Sequence, residues 1–124
     1  MRAEELKGHL DAVLLAALEG GPRHGYAVIE ALRQSTDGRL DLPTGTIYPA
    51  LRRLEQAGLI AGTWSVVGGR RRREYRLTPA GIRALSGRRA AWRDFSATVT
   101  AALENAALKN AALEDTACPS PNPA

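Results

Sequence analysis

The sequence predicts a mainly α-helical fold that carries one small β-hairpin. Three observations support this prediction. Apolar residues recur at helical spacing in several segments of the first half of the chain. Gly68-Gly69 separates two segments with strand-like composition, which is typical of a hairpin with a two-residue turn. From Pro79 onward, apolar residues recur at seven-residue spacing, which indicates a long helix.

The composition limits the kinds of protein that this chain can be. At 124 residues it is long enough for one domain with a modest core. Its one cysteine, Cys118, excludes an internal disulfide framework and a cysteine zinc site, and it fits a reducing, cytoplasmic setting. The longest apolar run, residues 12–18, is too short to cross a bilayer, and no signal peptide is expected. We expect no membrane partner, no metal and no cofactor.

Two helices are predicted before residue 35. The first is expected over residues 5–19 from its apolar stripe, and Gly20-Gly21-Pro22 ends it. The second is expected over residues 24–34, where we interpret His24 as a residue that starts the helix rather than as a ligand. Residues 35–43 are then expected to form a polar loop.

The third helix has sharp limits and two different faces. Thr46 is predicted to cap its start, with Pro49 at the third helical position, and Gly58 is predicted to end it in a left-handed conformation. Its back is apolar. Taken alone, this could be an ordinary amphipathic surface helix. Its other face suits a DNA major groove, because it offers hydroxyl, phenol, guanidinium and amide groups from Thr46, Tyr48, Arg52, Arg53 and Gln56.

A β-hairpin is predicted from residues 63–67 and 70–77, joined by Gly68-Gly69. Its return strand starts with four consecutive arginines, Arg70–Arg73. Such a cluster repels itself unless an anion approaches, so it favours a finger laid along DNA phosphates or into a minor groove. The alternative is a solvated basic loop.

Positive charge is concentrated in one third of the chain. Residues 52–93 hold eleven arginines against two glutamates, a local balance of +9 within a total of +4. The remainder is therefore acidic, with a balance of −5. This asymmetry indicates a polyanionic partner.

A long helix is predicted over residues 79–113, with Thr78 as its cap and Pro79 at its first position. Leu85, Trp92 and Val99 follow one another at seven-residue spacing. A helix of about 35 residues would extend well beyond so small a domain, so its apolar seam needs a partner, most simply a second copy of the chain. Its first half could instead fold back on its own domain.

The predicted order of three helices, a hairpin and a long helix is that of a winged helix-turn-helix protein with a C-terminal dimerisation helix. We divide the chain into a DNA-binding domain over residues 1–78, the dimerisation helix over 79–113, and a proline-rich disordered tail over 114–124. The residues expected to contact DNA are Tyr26, Thr44, Thr46, Tyr48, Arg52, Arg53, Arg70, Arg71, Arg72 and Arg73.

The chain resembles the PadR family of transcriptional regulators. The resemblance is carried by His24-Gly25-Tyr26, by the block that starts at Gly45-Thr46-Ile47-Tyr48-Pro49, by Trp64, and by Tyr75-Arg76-Leu77-Thr78. It implies a cytoplasmic homodimer, usually a repressor, that binds a pseudo-palindromic operator. It further implies dimerisation through the last and first helices, for which the expected residues are Leu10, Leu85, Trp92, Val99 and Leu103.

Similarity to the multidrug-sensing members of that family implies a ligand site at the dimer interface. In those members paired tryptophans hold a flat aromatic ligand. The matching positions here are Asp11, Ala12, Trp92, Phe95 and Ser96. Ser96 departs from members that carry an acidic residue for cationic drugs. Trp92 could instead serve packing alone.

Other functional classes fit the sequence less well. An enzyme is not expected, because no nucleophile triad, phosphate loop or paired catalytic carboxylates are recognisable. A winged helix used only for protein–protein contact would be expected to lack the basic hairpin. A non-specific or ligand-independent DNA-binding protein remains an alternative to a ligand-released regulator.

Overall fold

The computed structural model describes residues 3–6 and 8–105. It confirms the predicted fold class: helices dominate, a β-hairpin in a small antiparallel sheet follows the third α-helix, and a long helix comes last. The elements are a 3-10 turn at Ala3–Leu6, α1 at Leu10–Ala17, β1 at Arg23–His24, α2 at Gly25–Ser35, α3 at Thr44–Gln56, β2 at Ile60–Val67, β3 at Arg70–Leu77, α4 at Pro79–Thr100 and a π-helical turn at Ala101–Asn105.

The first predicted helix is two separate elements. Gly8 has a left-handed φ of +88°, and the helix α1 starts only at Leu10. The amide of His9 instead donates to the carbonyl of Leu6 at 2.7 Å, which closes the preceding turn. The prediction of one helix over 5–19 was wrong because an apolar stripe can continue across a glycine turn without a change of spacing.

The start of α3 also differs from the prediction. The helix begins at Thr44 after Pro43, without a side-chain cap, so Thr46 is a helical residue and the prediction that it caps α3 was wrong. Pro49 consequently lies inside the helix, where its missing N–H leaves the carbonyl of Gly45 without its usual partner. Gly45 is exposed, so water can satisfy that carbonyl.

The end of α3 is as predicted. Gly58 has a φ of +79°, and the amide of Leu59 donates back to the carbonyl of Leu54 at 3.0 Å. These are the features of a Schellman motif, in which a left-handed glycine lets the last carbonyls find donors. The chain can then leave α3 directly into β2.

The hairpin turns at Gly68-Gly69, as predicted, and both glycines have positive φ angles, 60° and 78°. The two strands pair in antiparallel register, from Val67 with Arg70 at the turn to Ile60 with Leu77 at the base of the hairpin. The third strand, β1, pairs with the outer side of β3 and was not predicted, because two residues are too few for a strand pattern.

The core lies among α1, α2, α3 and the base of the sheet. Its fully buried side chains are Leu14, Leu15, Val28, Ile47, Leu51, Leu54 and Ile60. Leu85 of α4 also belongs to it and is only 4% exposed. Leu85 was expected on the dimer seam, but its side chain packs in the core of its own chain because the start of α4 lies directly against the end of α3.

Thr78 and Gly81 explain that close packing. The hydroxyl of Thr78 donates to the carbonyl of Gly58 at 2.7 Å and accepts from the amide of Gly81 at 3.0 Å, so Thr78 caps α4 as predicted. A Cβ added at Gly81 would lie 1.9 Å from the carbonyl oxygen of Leu59. Only glycine allows this approach between α4 and the segment after α3.

The chain divides into two compact units, Met1–Arg88 and Arg89–Ala124, so the first part of α4 belongs to the winged-helix unit. In the second unit α4 ends at Thr100, and the turn Ala101–Asn105 follows. The predicted continuation of the helix over 106–113 and the predicted tail over 114–124 lie outside the described residues. Within residues 3–6 and 8–105, no helix is long and apolar enough to cross a membrane.

Candidate nucleic-acid interface

An open cleft of about 550 Å³ lies between the start of α2, the exposed side of α3 and the hairpin. It combines arginines from two elements, α3 and β3, with four tyrosine and tryptophan side chains from four elements, α2, α3, β2 and β3. The lining residues are His24, Tyr26, Tyr48, Arg52, Glu55, Trp64, Arg71, Arg72, Arg73 and Tyr75. The structure therefore brings together most of the residues predicted to contact DNA.

The position of Tyr48 is determined by Gly25. A Cβ added at Gly25 would lie 2.3 Å from the Cε1 atom of the Tyr48 ring. The ring therefore packs closely against the first residue of α2, while 40% of Tyr48 stays exposed. Tyr26, the next residue of α2, is 54% exposed on the same cleft. Two phenols are thus presented by neighbouring helices.

Arg52 and Arg53 lie in different surroundings. Arg52 is exposed and lines the cleft. Arg53 points to α1, where its Nη2 atom lies 2.7 Å from the Oδ1 atom of Asp11. Consecutive helical residues point about 100° apart, so α3 directs only one of the two guanidinium groups into the cleft.

The hairpin arginines are also not equivalent. The guanidinium groups of Arg71 and Arg73 lie over the ring of Trp64, at 4.6 Å and 5.3 Å from its centroid. Arg73 additionally forms an ion pair with Glu55 of α3, whereas Arg70 is exposed at the turn. Trp64 and Arg73 are direct partners in the sheet register, so the stacking follows from the strand pairing.

Arg72 contacts the start of α2. Its Nη1 atom lies 2.8 Å from the Nε2 atom of His24, while the Nδ1 atom of His24 accepts from the amide of Ala27 at 3.3 Å. His24 therefore caps α2, which confirms its interpretation as a helix-start residue. A neutral imidazole has one acceptor nitrogen, so the ring can accept from only one of these two donors at a time.

Two ionisable groups of the cleft have shifted pKa values. The Glu55 carboxylate, which accepts hydrogen bonds from the guanidinium, raises the pKa of Arg73 and keeps that group charged. Burial, followed by the negative charge of Glu55, raises the pKa of Tyr75 above its ordinary value. Tyr75 is therefore a neutral phenol at the floor of a positively charged cleft.

The remaining predicted residues lie elsewhere. Thr44 is exposed and Thr46 half-buried in the first turn of α3. Asp11 and Ala12 lie half-buried on α1, and Leu10 packs against the core. In the second unit, Trp92 and Phe95 are half exposed with ring centroids 5.9 Å apart, Ser96 and Val99 are half-buried, and Leu103 is 76% exposed.

Four cleft residues were not predicted to contact DNA: His24, Glu55, Trp64 and Tyr75. The two-residue turn at Gly68-Gly69 would have revealed one of them, because it fixes the register and so places Trp64 opposite Arg73. Glu55 carries no such signal, since its partner lies 18 residues away on a different element.

The fold and cleft define a class of protein, the winged-helix DNA-binding regulators. Comparison with known proteins then identifies the family. The sequence pattern described as "Transcriptional regulator PadR-like family" matches residues 14–87, more than half of the chain. The chain belongs to this family of transcriptional regulators, which confirms the resemblance and the prediction that it is not an enzyme.

Individual relatives agree with this assignment. The transcriptional regulator Rv3488 of Mycobacterium tuberculosis is 42% identical over 77 residues, which are 62% of this chain and 59% of that protein. A transcriptional regulator from Clostridium thermocellum has a similar structure, with a TM-score of 0.73, 28% identity, and coverage of 79% of this chain and 96% of that one. A PadR family regulator from Eggerthella lenta gives a TM-score of 0.70 at 34% identity, covering 82% and 87%.

Proposed function

We propose that this DNA-binding regulator is a cytoplasmic repressor that binds a pseudo-palindromic operator as a homodimer and is released by a small aromatic ligand. The observation that supports the DNA mode best is the cleft, which is lined by Arg52 of α3 together with Arg71, Arg72 and Arg73 of the hairpin. In this mode α3 enters the major groove and the hairpin lies on the flanking backbone.

We assign the reading of bases to Arg52 rather than Arg53. A guanidinium can donate two hydrogen bonds to a guanine edge, but only if it is free to reach the groove. Arg52 is exposed in the cleft, whereas Arg53 is paired with Asp11 on the side of α1. Tyr26, Tyr48, Thr44 and Thr46 then hold the phosphates on either side of α3.

The dimer is supported by the second unit. Trp92 and Phe95 expose 50% and 56% of their surfaces on one helix, and Leu103 is more exposed still. Large apolar side chains in such a row are normally covered by a partner, and a second copy gives the two-fold symmetry that a palindromic operator needs. Leu10 and Val99 would complete the proposed dimer interface. Leu85 would not take part, because it is buried in the core of its own chain.

Release by a ligand rests on the same aromatic residues. Trp92 and Phe95 form a tilted pair of rings with 39° between their planes, a surface on which a flat aromatic molecule can stack. Asp11, Ala12 and Ser96 are the polar and small residues proposed to surround it. This proposal is tested by adding a flat aromatic dye and following tryptophan fluorescence. The variant Trp92→Phe is expected to lose the ligand site, and Trp64 then remains as the fluorescent reporter.

DNA recognition is tested by fluorescence anisotropy with two duplexes, the region upstream of the protein's own gene and a scrambled version, at two salt concentrations. We expect a preference of about 10³-fold or more for the native duplex that persists at the higher salt. Equal binding that disappears with salt would contradict sequence-specific recognition at that region, since only the phosphate contribution would remain.

Arg52→Gln and Arg53→Gln are a matched pair for the same assay. We expect Arg52→Gln to cost about 1–3 kcal/mol of binding to the native duplex and to reduce the preference over the scrambled one. Arg53→Gln should leave that preference in place. The reverse result would assign base reading to Arg53.

The dimer is tested by sedimentation of the wild type and of Trp92→Ala over a range of concentrations. The wild type is expected to sediment as a dimer. Trp92→Ala is expected to be monomeric at concentrations at which the wild type is still dimeric, because it loses the largest apolar group of the interface. A monomeric wild type at the concentrations used for DNA binding would contradict the proposal.

A further inference from the structure

We propose that Glu55 is a positioning residue that holds the hairpin against the DNA-binding helix through Arg73, so that Arg71 rather than Arg73 contacts phosphate. This inference rests on the proposed contact between the hairpin and the DNA backbone. It assigns a role in DNA binding to an acidic residue at the end of α3, where a negative charge would otherwise be expected only to repel DNA.

The contacts of Arg73 support this role. Its guanidinium contacts both the carboxylate of Glu55, through Nε and Nη2, and the ring of Trp64. Both charged side chains are only about 30% exposed, 31% for Arg73 and 27% for Glu55. Arg73 is therefore enclosed between two elements of the fold.

Gly62 provides the space for this arrangement. A Cβ added at Gly62 would lie 2.7 Å from the Nε atom of Arg73, so the side chain of Arg73 crosses directly over the backbone of β2. Any larger residue at this position would push the guanidinium away from Glu55. The hairpin thus reaches back to α3 through one side chain that passes over its own neighbouring strand.

Arg71 contacts the same tryptophan ring as Arg73. Its guanidinium lies 4.6 Å from the centroid of Trp64, but the residue as a whole is exposed. Because Arg73 also contacts this ring and limits its movement, the ring limits the positions that Arg71 can adopt, which reduces the entropy lost when Arg71 binds a phosphate. Glu55 therefore affects Arg71 through Arg73 and Trp64 in turn.

A substitution that removes the charge of Glu55 but keeps the size of its side chain separates this role from simple electrostatics. If Glu55 only repels DNA, Glu55→Gln removes a negative charge near the phosphates and binding becomes tighter. If Glu55 positions the hairpin, Glu55→Gln releases Arg73 and binding becomes about fivefold weaker, in keeping with the loss of one ion pair. The two explanations predict opposite signs for the same variant.

Glu74→Gln is the matched control. Glu74 is the next residue after Arg73 on β3 and its substitution changes the net charge equally, but it is paired in the register with His24 and Thr63 rather than with α3. We expect Glu74→Gln to bind DNA as tightly as the wild type or more tightly. Thermal melts of both variants check that the fold is retained.

The salt dependence of binding shows whether Arg71 and Arg73 make one phosphate contact between them or two independent contacts. Each phosphate contact contributes about 0.9 to the slope of log K against log salt. Arg71→Gln and Arg73→Gln are each expected to lower the slope by up to about 0.9, and the double variant by no more than either alone. A decrease of about 1.8 in the double variant would show two independent contacts and overturn the proposal.

These measurements use a duplex of arbitrary sequence at low salt, because a phosphate contact does not depend on sequence. Weaker binding by Glu55→Gln with unchanged or tighter binding by Glu74→Gln supports the positioning role, and tighter binding by both overturns it. Failure to prefer an operator would remove the proposed specificity but would leave this comparison intact. A wild type that binds no duplex would overturn both proposals.

Discussion

The two compact units of this chain differ in whether their large apolar side chains are buried or exposed. The winged-helix unit buries Leu14, Ile47 and Leu51 completely within its own core. The second unit leaves Trp92 and Phe95 half exposed. Both units are rich in apolar residues at helical spacing, so the pattern alone does not distinguish a core that is covered by its own chain from a surface that needs a partner. The difference is whether other elements of the same chain cover the stripe.

The start of α4 belongs to the buried core of the winged-helix unit. Thr78 hydrogen-bonds with the end of α3, Gly81 lies against the backbone of Leu59, and Leu85 enters the core. One continuous helix therefore has a first part that stabilises its own domain and a later part that exposes its aromatic residues. The following predictions test this contrast, from the largest expected effect to the smallest.

Replacing a core residue of the first unit should have the largest effect. Leu51 has 0% exposure, and Leu51→Ala should lower the free energy of unfolding by about 3 kcal/mol through lost burial and a residual cavity. Phe95→Ala should change it by less than about 0.5 kcal/mol at low protein concentration, since the ring is half exposed. Urea unfolding measures both. Similar losses for the two variants would mean that the contrast between the units is false.

Gly81→Ala should be almost as damaging. Its added Cβ would meet the carbonyl oxygen of Leu59, and the backbone there cannot move without disturbing the Schellman motif, so we expect a loss of about 3 kcal/mol. Gly87→Ala is the control on the same helix, where nothing lies within 4 Å of the added Cβ. It should stabilise by up to about 1 kcal/mol through higher helix propensity. Equal effects of the two substitutions would contradict the close approach at Gly81.

Thr78→Ala should have an intermediate effect. It removes both the cap of α4 and the hydrogen bond to Gly58, for an expected loss of about 1 kcal/mol in thermal or urea unfolding. Thr78→Ser keeps the hydroxyl and should recover most of that stability. If serine behaves like alanine, packing of the threonine methyl group rather than the cap would explain the loss.

The smallest effect concerns alkaline pH. Burial raises the pKa of Tyr75 in the folded protein above 10.0, so the folded state keeps its phenol proton when the unfolded state loses it. This contribution to stability is fully present below about pH 10 and is lost as the pH rises through the raised pKa. Tyr75→Phe lacks it, so its urea midpoint should fall less between about pH 9 and pH 11 than that of the wild type. If the urea midpoints of the wild type and Tyr75→Phe fall equally, Tyr75 does not contribute to the pH dependence of stability.

Local features of the sequence determined much of this protein. Hydrophobic spacing predicted α2, the apolar face of α3 and a long last helix, Gly58 predicted the end of α3, Gly68-Gly69 predicted the hairpin, and Thr78-Pro79 predicted the start of α4. Each depends on the conformational preferences of a few neighbouring residues, which are the same in any fold. The clustering of arginines likewise indicated a polyanionic partner without reference to any contact.

Contacts between distant residues were decided only by the tertiary structure. The sequence could not show that Arg53 pairs with Asp11 while Arg52 stays free, that Arg73 pairs with Glu55, or that Leu85 belongs to the core. Arg52 and Arg53 are chemically identical neighbours, and only the position of α1 beside α3 makes them different. Adjacent residues with the same chemistry acquire separate roles when the fold brings a carboxylate to one of them and leaves the other facing an open cleft.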